Sequence, residues 1–251
     1  MSEWPAVDSA NACLILDFDG TLAPIVDDPA TSEMSDHTRS LLVRLVGRLG
    51  RLAIVSGRPA GFLAERVRVD GATLVGLYGL EKVVDGEVVP DPRVEPYTQA
   101  LDSARERLSE AVSRWPGAEL EDKGRALAVH WRRAEERDEA GPALTEAVRE
   151  SAGDLVVEDG KMVIELRPPV TADKGTAVAE LAEGFSAVAY AGDDLGDLPA
   201  FAEVSGRSGL AVGVDHGPET DAKVRDAVDL LVDGTEGLEA WLADVCDAVK
   251  V

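Results

Sequence analysis

Cysteine is nearly absent. Cys13 and Cys246 stand alone in 251 residues, too few for a disulfide framework and without metal-ligand spacing. Also missing is any run of about 18 apolar residues, so no membrane span is expected. The first ten residues, MSEWPAVDSA, lack the basic and apolar blocks of a secretory leader, and a cytoplasmic setting is the expectation. Basic residues are scarce beside acids: 25 Lys and Arg against 48 Asp and Glu give a net charge of −23. Nucleic acid and anionic membrane, which that charge repels, are excluded as partners. A small anionic ligand is not, because a cation and a few placed basic groups reverse the sign locally. Low-complexity segments are absent too, and a monomer is expected.

What is present is a regular alternation. ACLILDF (12–18) and RLAIVSG (51–57) are apolar runs without polar alternation, the pattern of parallel strands buried on both faces. Between them, SDHTRSLLVRLVGRLG has leucine and valine at helical spacing, with Ser35 or Asp36 as its cap. PAGFLAERV then reads as a short helix and ATLVGLYG as a third strand. From 171 onward helices and strands alternate again, closing on the amphipathic TEGLEAWLADVCDAVK. The middle, 91–170, reads instead as αββαββ, bounded by Pro90 and Pro92 and by Pro168-Pro169. The expectation is an α/β protein: a doubly wound, mostly parallel sheet from 1–90 and 171–251, with an inserted α+β domain at 91–170.

Ligands of open α/β sheets bind beyond the carboxyl ends of the strands. The first apolar run is followed there by Asp17, Asp19 and Thr21, the second by Ser56, Gly57 and Arg58. AVAYAG is followed by Asp193, Asp194 and Asp197. Acids from sequence-distant segments converging on one edge repel one another unless a hard cation sits among them, and an incomplete all-oxygen set favours Mg²⁺. Lys174, at the start of the helix returning from the insert, is placed to face a phosphoryl group or a carboxylate. Asp194 doubles as a cap candidate for the helix that follows it. His37 and His216 read as surface residues, and Trp115, Trp131 and Trp241 as packing.

In order along the chain, DFDGT, SGR, the Lys174 helix and GDDLGD resemble the four motifs of the haloacid dehalogenase superfamily. The αββαββ insert resembles the caps that cover sugar phosphates in that superfamily. The resemblance implies a HAD-like Rossmannoid core with a cap, and Asp17 as a nucleophile that forms an aspartyl-phosphate. It implies Asp19 as the general acid and then base, its carbonyl also reaching Mg²⁺. Asp193, with Asp194 and Asp197, would complete the metal site, and Ser56 and Lys174 would hold phosphoryl oxygens. A receiver-type signalling domain shares the clustered acids and the lysine, but it is about half this length and lacks an acid two residues after its phospho-acceptor.

A closer resemblance is to trehalose-6-phosphate phosphatases. It rests on GLYGLE (76–81), EDKGRALAVHWRR (121–133) and GKMVIELRPP (160–169). It implies substrate contacts from Arg58, Tyr78, Glu81, Lys123, His130, Arg132 and Glu165. His130 and Arg132 are expected on one strand face; the alternative for Glu165 is a surface residue paired with Arg167. Tyr78 departs from that family's usual histidine; it still hydrogen-bonds and stacks on a sugar face but carries no charge near neutral pH. Trehalose 6-phosphate is the expected substrate, with another sugar phosphate as the alternative.

Overall fold

The apolar run that ends at Asp17 forms strand β1 (Ala12–Leu16), and all five of its residues are buried. A computed structural model describes residues 4, 8–26 and 28–249. Most of the first stretch, which reads as lacking a leader, and Lys250, the last residue expected in the closing helix, lie outside the described residues. β1 lacks polar alternation because apolar clusters cover both its faces: Leu14 and Leu16 join one, Cys13 and Ile15 the other. Each fully buried Leu or Ile contributes about 1.5–3 kcal/mol relative to an exposed one.

Helix α1 (Asp36–Val46) begins where the expected cap, Ser35, accepts from the Thr38 amide. Strand β2 (Arg51–Val55), helix α2 (Ala60–Val67) and strand β3 (Thr73–Gly76) follow. After a 3₁₀ turn at Leu77–Gly79 comes a hairpin absent from the sequence expectations, β4 (Glu81–Val84) and β5 (Glu87–Pro90). Its signal is Asp85-Gly86 between two valine pairs, and both turn residues have positive φ, 52° and 83°.

The chain divides into two units, Met1–Val89 with Ala172–Val251, and Pro90–Thr171. The second contains α3 (Thr98–Ser113), β6 (Glu119–Asp122), β7 (Leu127–His130), α4 (Arg137–Ser151), β8 (Val156–Gly160) and β9 (Val163–Arg167). Its four strands form a separate antiparallel sheet in the order β6-β7-β9-β8. Leu127, Val129, Ile164 and Leu166 pack with Leu101 and Leu108 of α3 and Leu144 and Val148 of α4. Alternation therefore puts Glu121, Ala128, His130, Glu158 and Glu165 on the face without helices.

The first unit resumes with α5 (Lys174–Leu181), β10 (Ala187–Gly192), α6 (Leu198–Gly206), β11 (Leu210–Asp215), α7 (Ala222–Asp226), β12 (Leu230–Asp233) and α8 (Gly234–Ala248). Its sheet runs β12-β11-β10-β1-β2-β3-β4-β5, parallel from β12 to β3 and antiparallel at β3-β4. The doubly wound order sets β10 and β2 on either side of β1, so the segments that leave those strands meet at one edge. Among the described residues no helix is long and apolar enough to cross a membrane. Cys13 and Cys246 are buried free thiols, and the expected packing tryptophans, Trp115, Trp131 and Trp241, all join apolar clusters.

Candidate active site

Beyond β1 the chain stays paired for one more residue, the Asp17 amide donating to the Ala191 carbonyl of β10 at 2.9 Å. It then folds back on itself: the Leu22 and Ala23 amides both donate to the Phe18 carbonyl, and Gly20 N to Ala23 O. Gly20 has φ +76°, and a Cβ there would fall 2.1 Å from Asp193 Oδ2. Only glycine lets this turn approach Asp193 so closely. Thr21 Oγ1 donates to Asp193 Oδ1 at 3.2 Å.

Lys174 enters from the first turn of α5, whose N-terminus is held by a capping box between Asp173 and Thr176. The side chain is 5% exposed, and its Nζ lies 2.9 Å from Asp17 Oδ1, 2.6 Å from Asp197 Oδ1 and 3.9 Å from Asp194 Oδ1. Burial alone would lower its pKa; Asp17, Asp197 and Asp194 more than offset that and hold it above the ordinary lysine range. For Asp17, burial pushes the carboxyl well up, and Asp197 and Asp193 add to it, with Lys174 opposing. Asp193 is pushed up to about 7 by burial and by the Asp197 and Asp194 charges.

One ligand atom from each of Asp17, Asp193 and Asp197 lies within 4.8 Å of the others. Their hydrogen bonds separate the three. Asp197 Oδ1 accepts from Lys174 Nζ and from Tyr190 Oη, both within 2.6 Å. Its Oδ2 accepts from the Asp193 and Asp194 amides at 2.9 and 3.0 Å. A carboxylate offers about four acceptor positions, so Asp197, expected among the ligands and one of the three clustered acids, has all four engaged within the cluster and organises it. Asp17 and Asp193 retain acceptor capacity. Asp194 lies at the rim, 65% exposed, and caps the next turn through Gly196 N, the cap role anticipated for it. Tyr190 was not foreseen; its only signal is a hydroxyl inside an otherwise apolar strand.

Asp19 pairs with Arg58. Both its oxygens accept from Arg58, at 2.7 Å from Nε and 3.0 Å from Nη2, and the guanidinium lies over the Phe62 ring. Arg58, expected at the substrate, is thus held against the second aspartate. Ser56 is buried, and its Oγ accepts from Arg58 N at 3.1 Å. The strand ends beside it are knitted together: Tyr78 N donates to Ser56 O and Leu77 N to Arg58 O, each at 3.0 Å. That knitting holds Leu77 and Tyr78 at φ 49° and 58°, a left-handed conformation that costs each about 1–2 kcal/mol. Tyr78 crosses Gly57 so closely that a Cβ there would meet its hydroxyl at 2.5 Å. Glu81, expected at the sugar, is buried, and its Oε1 accepts from Ala60 N at 2.6 Å. It caps α2 from a distance because Pro59, in the cap position, makes no side-chain hydrogen bond there.

In the inserted unit, Lys123 Nζ lies 2.8 Å from Glu165 Oε2, so Glu165 pairs with Lys123 and not with Arg167, which binds Glu158 instead. His130 Nε2 is 3.0 Å from Glu121 Oε2. The expectation of His130 and Arg132 on one strand face fails. β7 ends at His130, Trp131 N pairs with Met162 O, and Arg132 Nη2 donates to the Lys161 carbonyl at 3.1 Å.

The cluster of Asp17, Asp193 and Lys174 combines a buried acid, an all-oxygen donor pair and a buried cation at the ends of adjacent parallel strands. Its donors fit a hard divalent cation, and raised carboxyls in the bare cluster mark charge that such a cation would neutralise. The model of the family described as trehalose-phosphatase matches residues 15–232 of the chain. A probable trehalose-phosphate phosphatase of Sinorhizobium fredii is 33% identical over 86% of this chain and 82% of its own length. An uncharacterized glycosyl hydrolase of Mycobacterium tuberculosis is 34% identical over 84% of this chain, which spans only 16% of that protein. Among solved structures, a trehalose-6-phosphate phosphatase related protein superimposes with a TM-score of 0.74 at 26% identity, covering 94% of this chain and 97% of the other.

Proposed function

The chain belongs to the trehalose-phosphatase family, and from that premise we propose that it is a phosphatase of the haloacid dehalogenase type that hydrolyses trehalose 6-phosphate to trehalose and phosphate. The observation that carries the reading is Asp17, buried and paired with Lys174 at 2.9 Å beside Asp193. Buried aspartate, cation and a second acid with free acceptor capacity are the parts phosphoryl transfer to a carboxylate requires.

Asp17 attacks phosphorus in line, forming an aspartyl-phosphate as the bond from phosphorus to the sugar oxygen breaks. Lys174 opposes the burial that favours protonated Asp17 and orients its carboxylate, and Ser56 offers its hydroxyl to a phosphoryl oxygen. Asp19 gives a proton to the departing sugar oxygen. It then takes one from the water that cleaves the acyl-phosphate, returning Asp17 to its free form. To do either, the Asp19 carboxylate must rotate off Arg58, where both oxygens are engaged in this structure. Asp17 and Asp193 would hold Mg²⁺, with Asp194 at the rim; the ion would supply positive charge to the transferring phosphoryl oxygens. In the inserted unit, the helix-free face groups the Lys123–Glu165 and His130–Glu121 pairs, donors and acceptors of the kind a neutral polyol needs.

Phosphate release across a panel of sugar phosphates tests the reading. Preference for trehalose 6-phosphate supports it; no release from that substrate with turnover of another favours the second reading, a phosphatase of a different glycosyl phosphate. Tyr78, in place of the histidine usual in the resemblance, is the residue that keeps that second reading in view.

Two results are expected in the same assay. Asp19→Asn should lower turnover about 10²–10⁴-fold, the range for losing one general acid–base group. Calorimetric Mg²⁺ binding and the melting temperature should stay near the parent values, and unchanged turnover would remove Asp19 from the mechanism. The second concerns pH. With the Asp193 carboxyl pushed up to about 7 in the metal-free protein and the Asp17 carboxyl raised as well, Mg²⁺ must displace protons to bind, and more of them as the pH falls. Affinity should therefore rise with pH through neutrality, the Asp193 proton alone giving a roughly fivefold fall from pH 7 to pH 6. A flat profile through neutrality would contradict it.

A further inference from the structure

His216 follows the last residue of β11 and carries no assignment in the sequence, where it reads as a surface histidine. The structure turns it inward, its side chain 19% exposed. Nε2 lies 2.7 Å from the Gly20 carbonyl oxygen and 3.6 Å from Asp193 Oδ2. A carbonyl only accepts, so Nε2 carries a hydrogen and donates it to Gly20. The backbone at this position is fixed as well, His216 N donating to Thr220 Oγ1 at 2.7 Å.

The sheet order explains why this contact matters. β11, β10 and β1 are successive neighbours, so a side chain from the end of β11 crosses the end of β10 to reach the turn after β1, a span of about 10 Å. Asp193 stands in the middle of that span. Thr21 Oγ1 holds its Oδ1, the Gly20 backbone presses on the carboxylate, and the imidazole edge faces Oδ2. Without His216 the Gly20 carbonyl loses this side-chain donor, and the turn beside Asp193 is left to its own backbone hydrogen bonds.

We propose that His216 is a positioning residue of the metal site: by holding the Gly20 carbonyl across the end of β10, it fixes the turn after Asp19 and confines Asp193 to one orientation before the cation arrives. The inference rests on the metal reading above, and its test separates the two. Mg²⁺ alone is titrated calorimetrically into the full chain as wild type, D193N, H216Q and H216N. The glutamine amide extends far enough to replace Nε2 at Gly20 O; the asparagine amide stops short. Wild-type binding that D193N abolishes is expected, with H216N weaker by about tenfold, the lower end for loss of a group that orients a ligand. H216Q should remain within about threefold of wild type, and the metal-free melting temperatures of H216Q and H216N should agree within a few degrees. If D193N binds as wild type does, the metal reading fails and the positioning role with it. If D193N abolishes binding while H216N matches wild type, or H216Q is as weak as H216N, only the positioning role is overturned. Should the melting curve show H216N unfolded, H216Q alone decides: near-native affinity supports the role, and a tenfold loss overturns it.

Discussion

Asp17→Asn should abolish phosphate release, by at least about 10⁴-fold, while the protein remains folded and no less stable. The rate loss follows from chemistry: an amide oxygen is a poor nucleophile toward phosphorus, and loss of a nucleophile alone typically removes most of an enzyme's acceleration. The stability expectation follows from burial. Burial, together with Asp197 and Asp193, pushes the Asp17 carboxyl well above its usual range, so its charged form opposes folding near neutral pH. Asparagine has nearly the same shape, keeps a hydrogen-bond acceptor toward Lys174, and removes one of the crowded charges. Lys174 keeps Asp197 at 2.6 Å as its counter-ion. Urea unfolding should thus show a midpoint equal to or above the parent's. Rapid-quench experiments with ³²P-labelled substrate should trap label on the wild type and none on D17N. Activity above about a hundredth of wild type would show that Asp17 is not the attacking group.

Much of the fold was legible because burial writes directly into local pattern. β1 reads ACLIL because its two faces are both covered, and the insert reads αββαββ because one face of its sheet carries helices. The ends of the motifs were legible for the same reason: acids right after apolar runs had to lie at the strand ends. Illegible were the pairings that depend on strand order. Asp19 meets Arg58 because β1 and β2 are neighbours, and His216 meets Gly20 because β11, β10 and β1 are consecutive. Glu81, expected at the sugar from its motif, also caps the start of α2, where Pro59 offers no capping side chain. Arg132 left the strand because Trp131 joins the apolar cluster under the helices, packed where a Cβ on Gly141 would meet its Nε1 at 2.8 Å. In each case a local pattern named a chemistry, and the tertiary neighbour decided which group supplied it.

Lys174→Met should have the largest combined effect of any single substitution in the site. Methionine fills a similar volume but leaves Asp17 and Asp197 buried without their shared cation. Removing one partner from a buried ion pair typically costs about 3–5 kcal/mol, because the stranded charge has nowhere to be solvated. Asp197 is cushioned by Tyr190 Oη and the Asp193 and Asp194 amides; Asp17 has no equivalent among these groups, so most of the penalty should fall there. Turnover should drop about 10²–10³-fold or more, since a fixed cation at the reacting centre is lost. The double substitution D17N/K174M isolates that pair. If the Asp17–Lys174 contact is the dominant one, removing the Asp17 charge should recover at least about 1 kcal/mol of the stability that K174M loses, a coupling in the range expected for residues in contact. Activity should not recover at all, because the nucleophile is gone. If K174M instead destabilises the D17N background as much as the parent, the buried lysine serves Asp197 and the turn it anchors, and its pairing with Asp17 adds nothing to stability.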